Sequence, residues 1–133
     1  MTEVARPYPQ PDRDSARFWE AQNQHELVFQ RCAGCAAVRY PVGPLCPECL
    51  SFDFEWAMST GRGTVYSSTV VHHQTHPAFP TPYTVLLVEM AEGPRVIAQL
   101  RADGGTEVRI GTPVRVAWED YPHQSLPVFV PEG

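Results

Sequence analysis

Cys32-Ala33-Gly34-Cys35 and Cys46-Pro47-Glu48-Cys49 decide how this chain folds. These four cysteines are the only ones present, and ten residues separate the two C-x-x-C pairs. Each pair sets two thiolates on one tight knuckle. The segment between them folds back to complete a tetrahedron, the pattern of a zinc ribbon. Zinc is therefore expected as a structural ion on Cys32, Cys35, Cys46 and Cys49, with no coordination position left for water or substrate. Iron, which accepts a similar all-thiolate tetrahedron, is the alternative metal. Gly34 suits the turn of the first knuckle, and Pro47 stiffens the second. A disulfide framework needs an oxidising compartment, and the stretch from Met1 to Pro7 has no apolar signal-peptide core. A redox C-x-x-C ordinarily stands alone beside a βαβ pattern, which is missing here.

Working outward, Leu27–Cys32 reads as a strand entering the first knuckle and Val38–Pro41 as its return. Phe52, Phe54 and Trp56 alternate, as a half-buried strand requires. Residues 26–57 thus form a zinc module too small for a sufficient apolar core, so metal binding supplies much of its folding energy. Upstream, residues 1–25 comprise an arm with Pro7, Pro9 and Pro11, then a docking helix from Asp12 or Asp14 through Gln24. Either acid favours the positive end of the helix dipole. Phe18 and Trp19 dock that helix onto the core or cover a partner surface.

Downstream, residues 58–133 read as all-β. Thr64–Val71, Tyr83–Met90, Arg95–Leu100 and Thr112–Trp118 are rich in β-branched and apolar residues. Turns fall at Glu92-Gly93-Pro94 and Gly104-Gly105. Gly61 and Gly63 mark a bulge or a close backbone approach. Val128, Phe129 and Val130 are too apolar for a free tail and are expected as an edge strand or against a partner. About five short strands without helices fit a small closed barrel, with a five-stranded OB-fold the best candidate. The fold class is mainly β: an N-terminal helix, a rubredoxin-like zinc ribbon, then the OB-fold barrel with a C-terminal tail.

The net charge is −5 and all ten basic residues are arginines, with no lysine anywhere. The arginines are scattered, which disfavours non-specific nucleic-acid binding. No apolar run approaches the roughly 20 residues that span a bilayer, so a soluble, cytoplasmic protein is expected.

The chain resembles the bacterial and archaeal family that joins a rubredoxin-like zinc ribbon to an OB-fold and accompanies acyl-CoA enzymes. The resemblance rests on Phe18-Trp19-Glu20, Gln30-Arg31-Cys32-x-x-Cys35, Tyr40-Pro41 and Cys46-Pro47-x-Cys49. It continues through Gly61-x-Gly63-x-Val65-Tyr66-Ser67, Val71-His72, Pro82-Tyr83, Glu92-Gly93-Pro94-Arg95 and Ile110-Gly111-x-Pro113-Val114. It implies a non-catalytic accessory subunit of a thiolase-superfamily enzyme, with two copies flanking a partner dimer as a heterotetramer. The expected partner is a retro-aldolase that cleaves a β-hydroxyacyl-CoA in steroid side-chain degradation, because arginine-only coding suits a GC-rich actinobacterium. A thiolase or acyltransferase of other acyl-CoA or polyketide metabolism is the alternative, and some members work beside MaoC-like hydratases. The chain opens on the Pro-rich arm without a hydratase domain, so a non-covalent partner is expected.

Family members are thought to help form a CoA site at the subunit interface, and arginines suit CoA phosphates. Arg39, Arg62, His72 and Arg95 match or adjoin the shared motifs and are the candidate contacts to CoA or the partner. Phe79 and Tyr83 are candidate interface anchors. His72, His73, His76 and His123 do not converge as a second metal site, since neighbours on a strand diverge. Ser67, Ser68 and Ser125 lack a G-x-S-x-G elbow, so no catalytic residue is assigned. A nucleic-acid-binding OB module and a free acyl-CoA carrier are the competing functions.

Overall fold

The computed structural model describes residues 5–101 and 107–132. The Gly104-Gly105 turn lies outside the described residues. The elements in chain order are α1 (Ala16–Asn23), β1 (Val28–Cys32), β2 (Val38–Arg39), β3 (Phe54–Met58) and β4 (Arg62–Val71). They continue with β5 (Tyr83–Met90), β6 (Arg95–Leu100), β7 (Pro113–Asp120) and β8 (Ser125–Pro131).

Helix α1 follows a turn that Asp12 and Ser15 close between them. The Ser15 N–H donates to Asp12 Oδ1 at 2.8 Å and the Asp12 N–H donates to Ser15 Oγ at 3.0 Å. This reciprocal pair closes the turn that leads into α1, whose N-cap Ser15 makes no side-chain bond to the helix's own first N–H groups. Phe18 is buried and meets Trp19 edge-on at 5.1 Å, so the aromatic pair packs into the protein's own core. The helix ends at His25, whose φ of 60° stops the spiral. The Gln124 amide then donates to Trp19 O at 2.9 Å, and Asn23 Oδ1 accepts the Ser125 N–H at 2.8 Å. These bonds pin α1 to the turn between β7 and β8.

The ribbon is a three-stranded antiparallel sheet in the order β2-β1-β3. Its strands follow the expected positions, except that Phe52 lies ahead of β3 and is 72% exposed. The second sheet closes into a barrel, β4-β5-β6-β8-β7. Closure leaves no free edges, the OB-fold solution to the edge problem. Alternation along β5 sends Leu86, Val88 and Met90 inward to join Val65, Val96, Leu100, Val114 and Phe129. Phe18, Leu27, Val28 and Phe29 extend this cluster, so the ribbon base and barrel share one core.

One strand expectation is corrected. Residues 125–131 form an interior strand rather than an edge. β8 runs parallel to β6 through Gln99–Val128 and Leu100–Phe129, and antiparallel to β7 from Val114–Pro131 to Asp120–Ser125. Pairing on both sides makes it interior, and Phe129 on it is fully buried. Gly61 and Gly63 do mark close approaches. A Cβ on Gly61 (φ 79°) would sit 2.7 Å from Val116 Cγ1, and one on Gly63 2.6 Å from Val88 Cγ1. The bulge itself falls between Val65 and Ser67.

Candidate metal centre and surrounding surfaces

The two knuckles repeat one hydrogen-bonding scheme. The Cys32 N–H donates to Ala37 O at 2.8 Å and the Ala36 N–H to Cys32 O at 2.9 Å. At the second knuckle, the Cys46 N–H donates to Ser51 O and the Leu50 N–H to Cys46 O, both at 2.9 Å. Ala36 and Leu50, one residue past each pair, both take φ 65°. The left-handed residue of the first knuckle is therefore Ala36 and not Gly34. Gly34 instead lies against the sulfurs: a Cβ there would stand 3.4 Å from Cys49 Sγ and 3.6 Å from Cys32 Sγ.

Cys32 Sγ and Cys49 Sγ lie 3.4 Å apart, Cys35 Sγ and Cys46 Sγ 3.7 Å, and all four sulfurs fall within 4.8 Å of one another. A tetrahedron with metal–sulfur bonds of about 2.3 Å has edges of about 3.8 Å, so the cage fits zinc or a similar ion. Electrostatics agree. The Cys35 N–H, working against burial, holds the Cys32 thiol down to about 6. The Cys49 N–H lowers Cys46 in the same way. At Cys49 the Ser51 N–H pulls downward, but the Cys32 sulfur and burial push the thiol up to about 12. Without a cation the four sulfurs share protons. A divalent ion relieves that conflict by making all four thiolates. Among the described residues this is the one cluster with three or more converging metal-ligand side chains. His72 and His73 are exposed, and His76 Nδ1 accepts the Ala78 N–H at 3.0 Å.

The other candidate residues do not form one site. Arg62 and Arg95 share one barrel end, since Thr64 pairs with Glu89 and Glu89 with Arg95. Arg62 Nε lies 3.6 Å from Glu132, and Arg95 stacks 3.8 Å over the Tyr66 ring beside Glu89. His72 follows the far end of β4 and lies at the opposite end of the barrel. Arg39 is buried in the ribbon, 8% exposed, donating to Gln30 Oε1 at 2.9 Å and Gly43 O at 3.1 Å. It is thus not presented on an open face as a CoA phosphate contact requires.

Several contacts escaped the sequence. His25 Nε2 and Ser125 Oγ both bond Asp120 Oδ1, at 2.7 and 2.6 Å. Hydrogen bonds from Ser125 first and His25 second hold this carboxyl below its ordinary value. The acid stands between hydroxyl and imidazole, so the serine–histidine contact of a hydrolase triad is not formed. The N-terminal arm lies along its own barrel. Arg6 packs over Phe79 at 4.6 Å and Tyr121 at 4.1 Å, and Tyr8 meets His123 at 5.2 Å. Arg6, Trp19, Tyr40 and Tyr121 line a cavity of about 240 Å³ between arm, helix and barrel. Leu45, Leu50 and Phe52 expose apolar surface around the second knuckle.

A family model described as ChsH2, rubredoxin-like zinc ribbon domain, matches residues 19–55. Another, described as ChsH2, C-terminal OB-fold domain, matches residues 56–119. Over 127 residues the chain is 47% identical to the probable enoyl-CoA hydratase alpha subunit of Thermomonospora curvata. Over 124 residues it is 37% identical to the 3-oxo-4,17-pregnadiene-20-carboxyl-CoA hydratase alpha subunit of Mycobacterium tuberculosis. These alignments cover 95% and 93% of this chain but only 40% of each relative's length. The solved structure of the Ltp2-ChsH2(DUF35) aldolase matches with a TM-score of 0.86 at 46% identity, over 93% of this chain and 98% of that one.

Proposed function

The chain belongs to the ChsH2 (DUF35) family, a rubredoxin-like zinc ribbon joined to a C-terminal OB-fold, and from that membership we propose that it is a non-catalytic accessory subunit of a thiolase-like acyl-CoA enzyme. The partner carries the nucleophile and the acid. This chain supplies a rigid bracket and barrel loops that help shape the partner's acyl-CoA channel. The reaction is retro-aldol cleavage of a β-hydroxyacyl-CoA from a steroid side chain. The observation that carries this reading is the match to the aldolase chain across nearly its whole length.

Arg62, His72 and Arg95 are the proposed contacts to CoA or the partner. Two copies flank a partner dimer in the cytoplasm. Among the described residues no helix is long and apolar enough to cross a membrane, which suits that setting. The likeness to two hydratase alpha subunits favours a second reading, in which a MaoC-like hydratase is the partner or an additional one. Both readings need a protein partner and no nucleic acid.

Affinity purification of the tagged protein from its native cells, with mass spectrometry of the co-purifying chains, is the test. A thiolase-fold protein with aldolase activity supports the first reading, and a hydratase alone supports the second. Nucleic acid retained through a salt wash, with no enzyme present, would overturn both.

A further inference from the structure

Four thiolates around a divalent ion carry a net charge of about −2. The ribbon that holds them is already acidic. It contains Glu26, Glu48, Asp53 and Glu55 against only Arg31 and Arg39. Arg31 is engaged on the outer face by Glu55, at 2.7 Å. Arg39 appears in none of the ion pairs found among the described residues, which join His25 to Asp120, Arg31 to Glu55, Arg62 to Glu132 and Arg95 to Glu89. Its hydrogen bonds go to neutral oxygens on Gln30 and Gly43, and its Nη1 is buried without a partner. A buried cation with only neutral partners is costly unless a negative charge lies close by.

The strand register shows where that negative charge stands. Alternate residues share a face, so Gln30 and Cys32 project from the same side of β1. Arg39 is the cross-strand partner of Gln30 on β2, and Phe54 is the partner of Cys32 on β3. The guanidinium lies 5.1 Å over the Phe54 ring, so it reaches from its own rung into the Cys32 rung. Cross-strand neighbours are about 5 Å apart, which puts the charge on the order of 10 Å from the sulfurs. Burial keeps this interaction from being screened as a surface pair is.

We propose that Arg39 is the built-in counter-charge of the metal–thiolate centre, a positioning residue that strengthens divalent-ion binding and favours a divalent over a trivalent ion. The inference rests on the metal reading of the four cysteines, so the metal content of the wild-type protein is measured first. Absence of bound metal there would overturn the metal reading and the role of Arg39 with it, whereas a metal-loaded wild type with unaffected Arg39 variants would overturn the role of Arg39 alone.

The test compares Arg39→Gln and Arg39→Met, which remove the charge, with Arg39→Lys, which keeps the charge but loses the planar fork. Zinc competition with a chromophoric chelator gives the first readout. A unit charge on the order of 10 Å from a centre of about −2, at an effective dielectric of about 20 or more, is expected to change binding by roughly 10–100-fold, so the neutral variants bind more weakly by that factor and Arg39→Lys recovers most of the loss. The second readout is the midpoint potential of the iron-substituted protein. Reduction takes the centre from about −1 to −2, so removing a nearby cation lowers the potential. A tenfold change in preference equals about 59 mV for one electron. A purely hydrogen-bonding role leaves the potential unmoved and impairs the Lys and Gln variants alike, which would overturn the proposal. Should both neutral variants fail to load metal while Arg39→Lys loads it, the charge is still the cause. Failure of all three variants assigns the role to the fork and sinks the proposal.

Discussion

Replacing Glu92 tests how the barrel is clasped to the connector from the ribbon. Glu92 sits in the turn between β5 and β6. Its Oε1 accepts the Ser59 hydroxyl at 2.7 Å, while Oε2 accepts the Thr60 N–H at 2.9 Å and the Thr60 hydroxyl at 3.1 Å. A hydrogen bond to an ionised group contributes roughly 1.5–3 kcal/mol when well shielded. Here the carboxylate is half-buried and the freed groups regain water, so Glu92→Ala is expected to cost about 2 kcal/mol in all. At about 2.1 cal/mol/K of unfolding entropy per residue, that lowers Tm by roughly 7 °C for a chain of this length. Glu92→Gln keeps one acceptor but turns an NH2 toward a donor, and about half that loss is expected. Burial pushes the Glu92 carboxyl upward, but the Thr60 N–H and the Ser59 and Thr60 hydroxyls outweigh it and hold it below its ordinary 4.5. The folded value is thus below the unfolded one. The stabilisation is full above pH 4.5 and is lost as pH falls through the folded value. Calorimetry of the metal-loaded wild type and Gln variant, from pH 7 downward, reads the difference directly, because metal loss in acid affects both proteins. A Tm difference under about 1 °C at neutral pH, or one that widens in acid, would refute the reasoning.

Gly63→Ala puts a Cβ 2.6 Å from Val88 Cγ1 and 2.7 Å from Glu89 O, forcing β4 and β5 apart. A loss of about 3 kcal/mol is expected in the urea midpoint. Leu50→Gly relieves a left-handed residue whose side chain is 66% exposed, so a gain of about 0.5–1 kcal/mol is expected by thermal melting. Phe129→Ala empties the barrel interior and is expected to cost about 3–5 kcal/mol by chemical denaturation. Metal removal with a strong chelator is expected to abolish hydrogen-exchange protection at the Ala36 and Leu50 amides, which close the knuckles, while β5 retains its own.

Local signals made the ribbon and most of the barrel legible. Cysteine spacing reports the knuckles directly, and β-branched runs report β4 to β7. β8 was harder because Pro127 and Pro131 flank its apolar core, and proline ordinarily demotes a strand to an edge. Its Cα partners, Trp118 and Val114 on β7, belong to the tertiary fold. The left-handed residues Ala36 and Leu50 carry no glycine to announce them. Arg39 reads as a surface cation in isolation, and only the packing of Gln30 and Phe54 around it reveals a buried one. The pairing of His25 with Asp120 spans 95 positions, beyond any periodicity.

The closing position of β8 also bears on how the molecule comes into being. Any curl that β4, β5, β6 and β7 form before Ser125–Pro131 docks has unpaired edges on β6 and β7. Open edges recruit strands from other chains. At synthesis rates of about 5–20 residues per second, β8 is made about a second after β7, and a curl formed in that time would have those edges exposed. Substitutions that slow the docking of β8 should therefore lower the yield of soluble protein, through aggregation of newborn chains, even where the finished barrel melts normally.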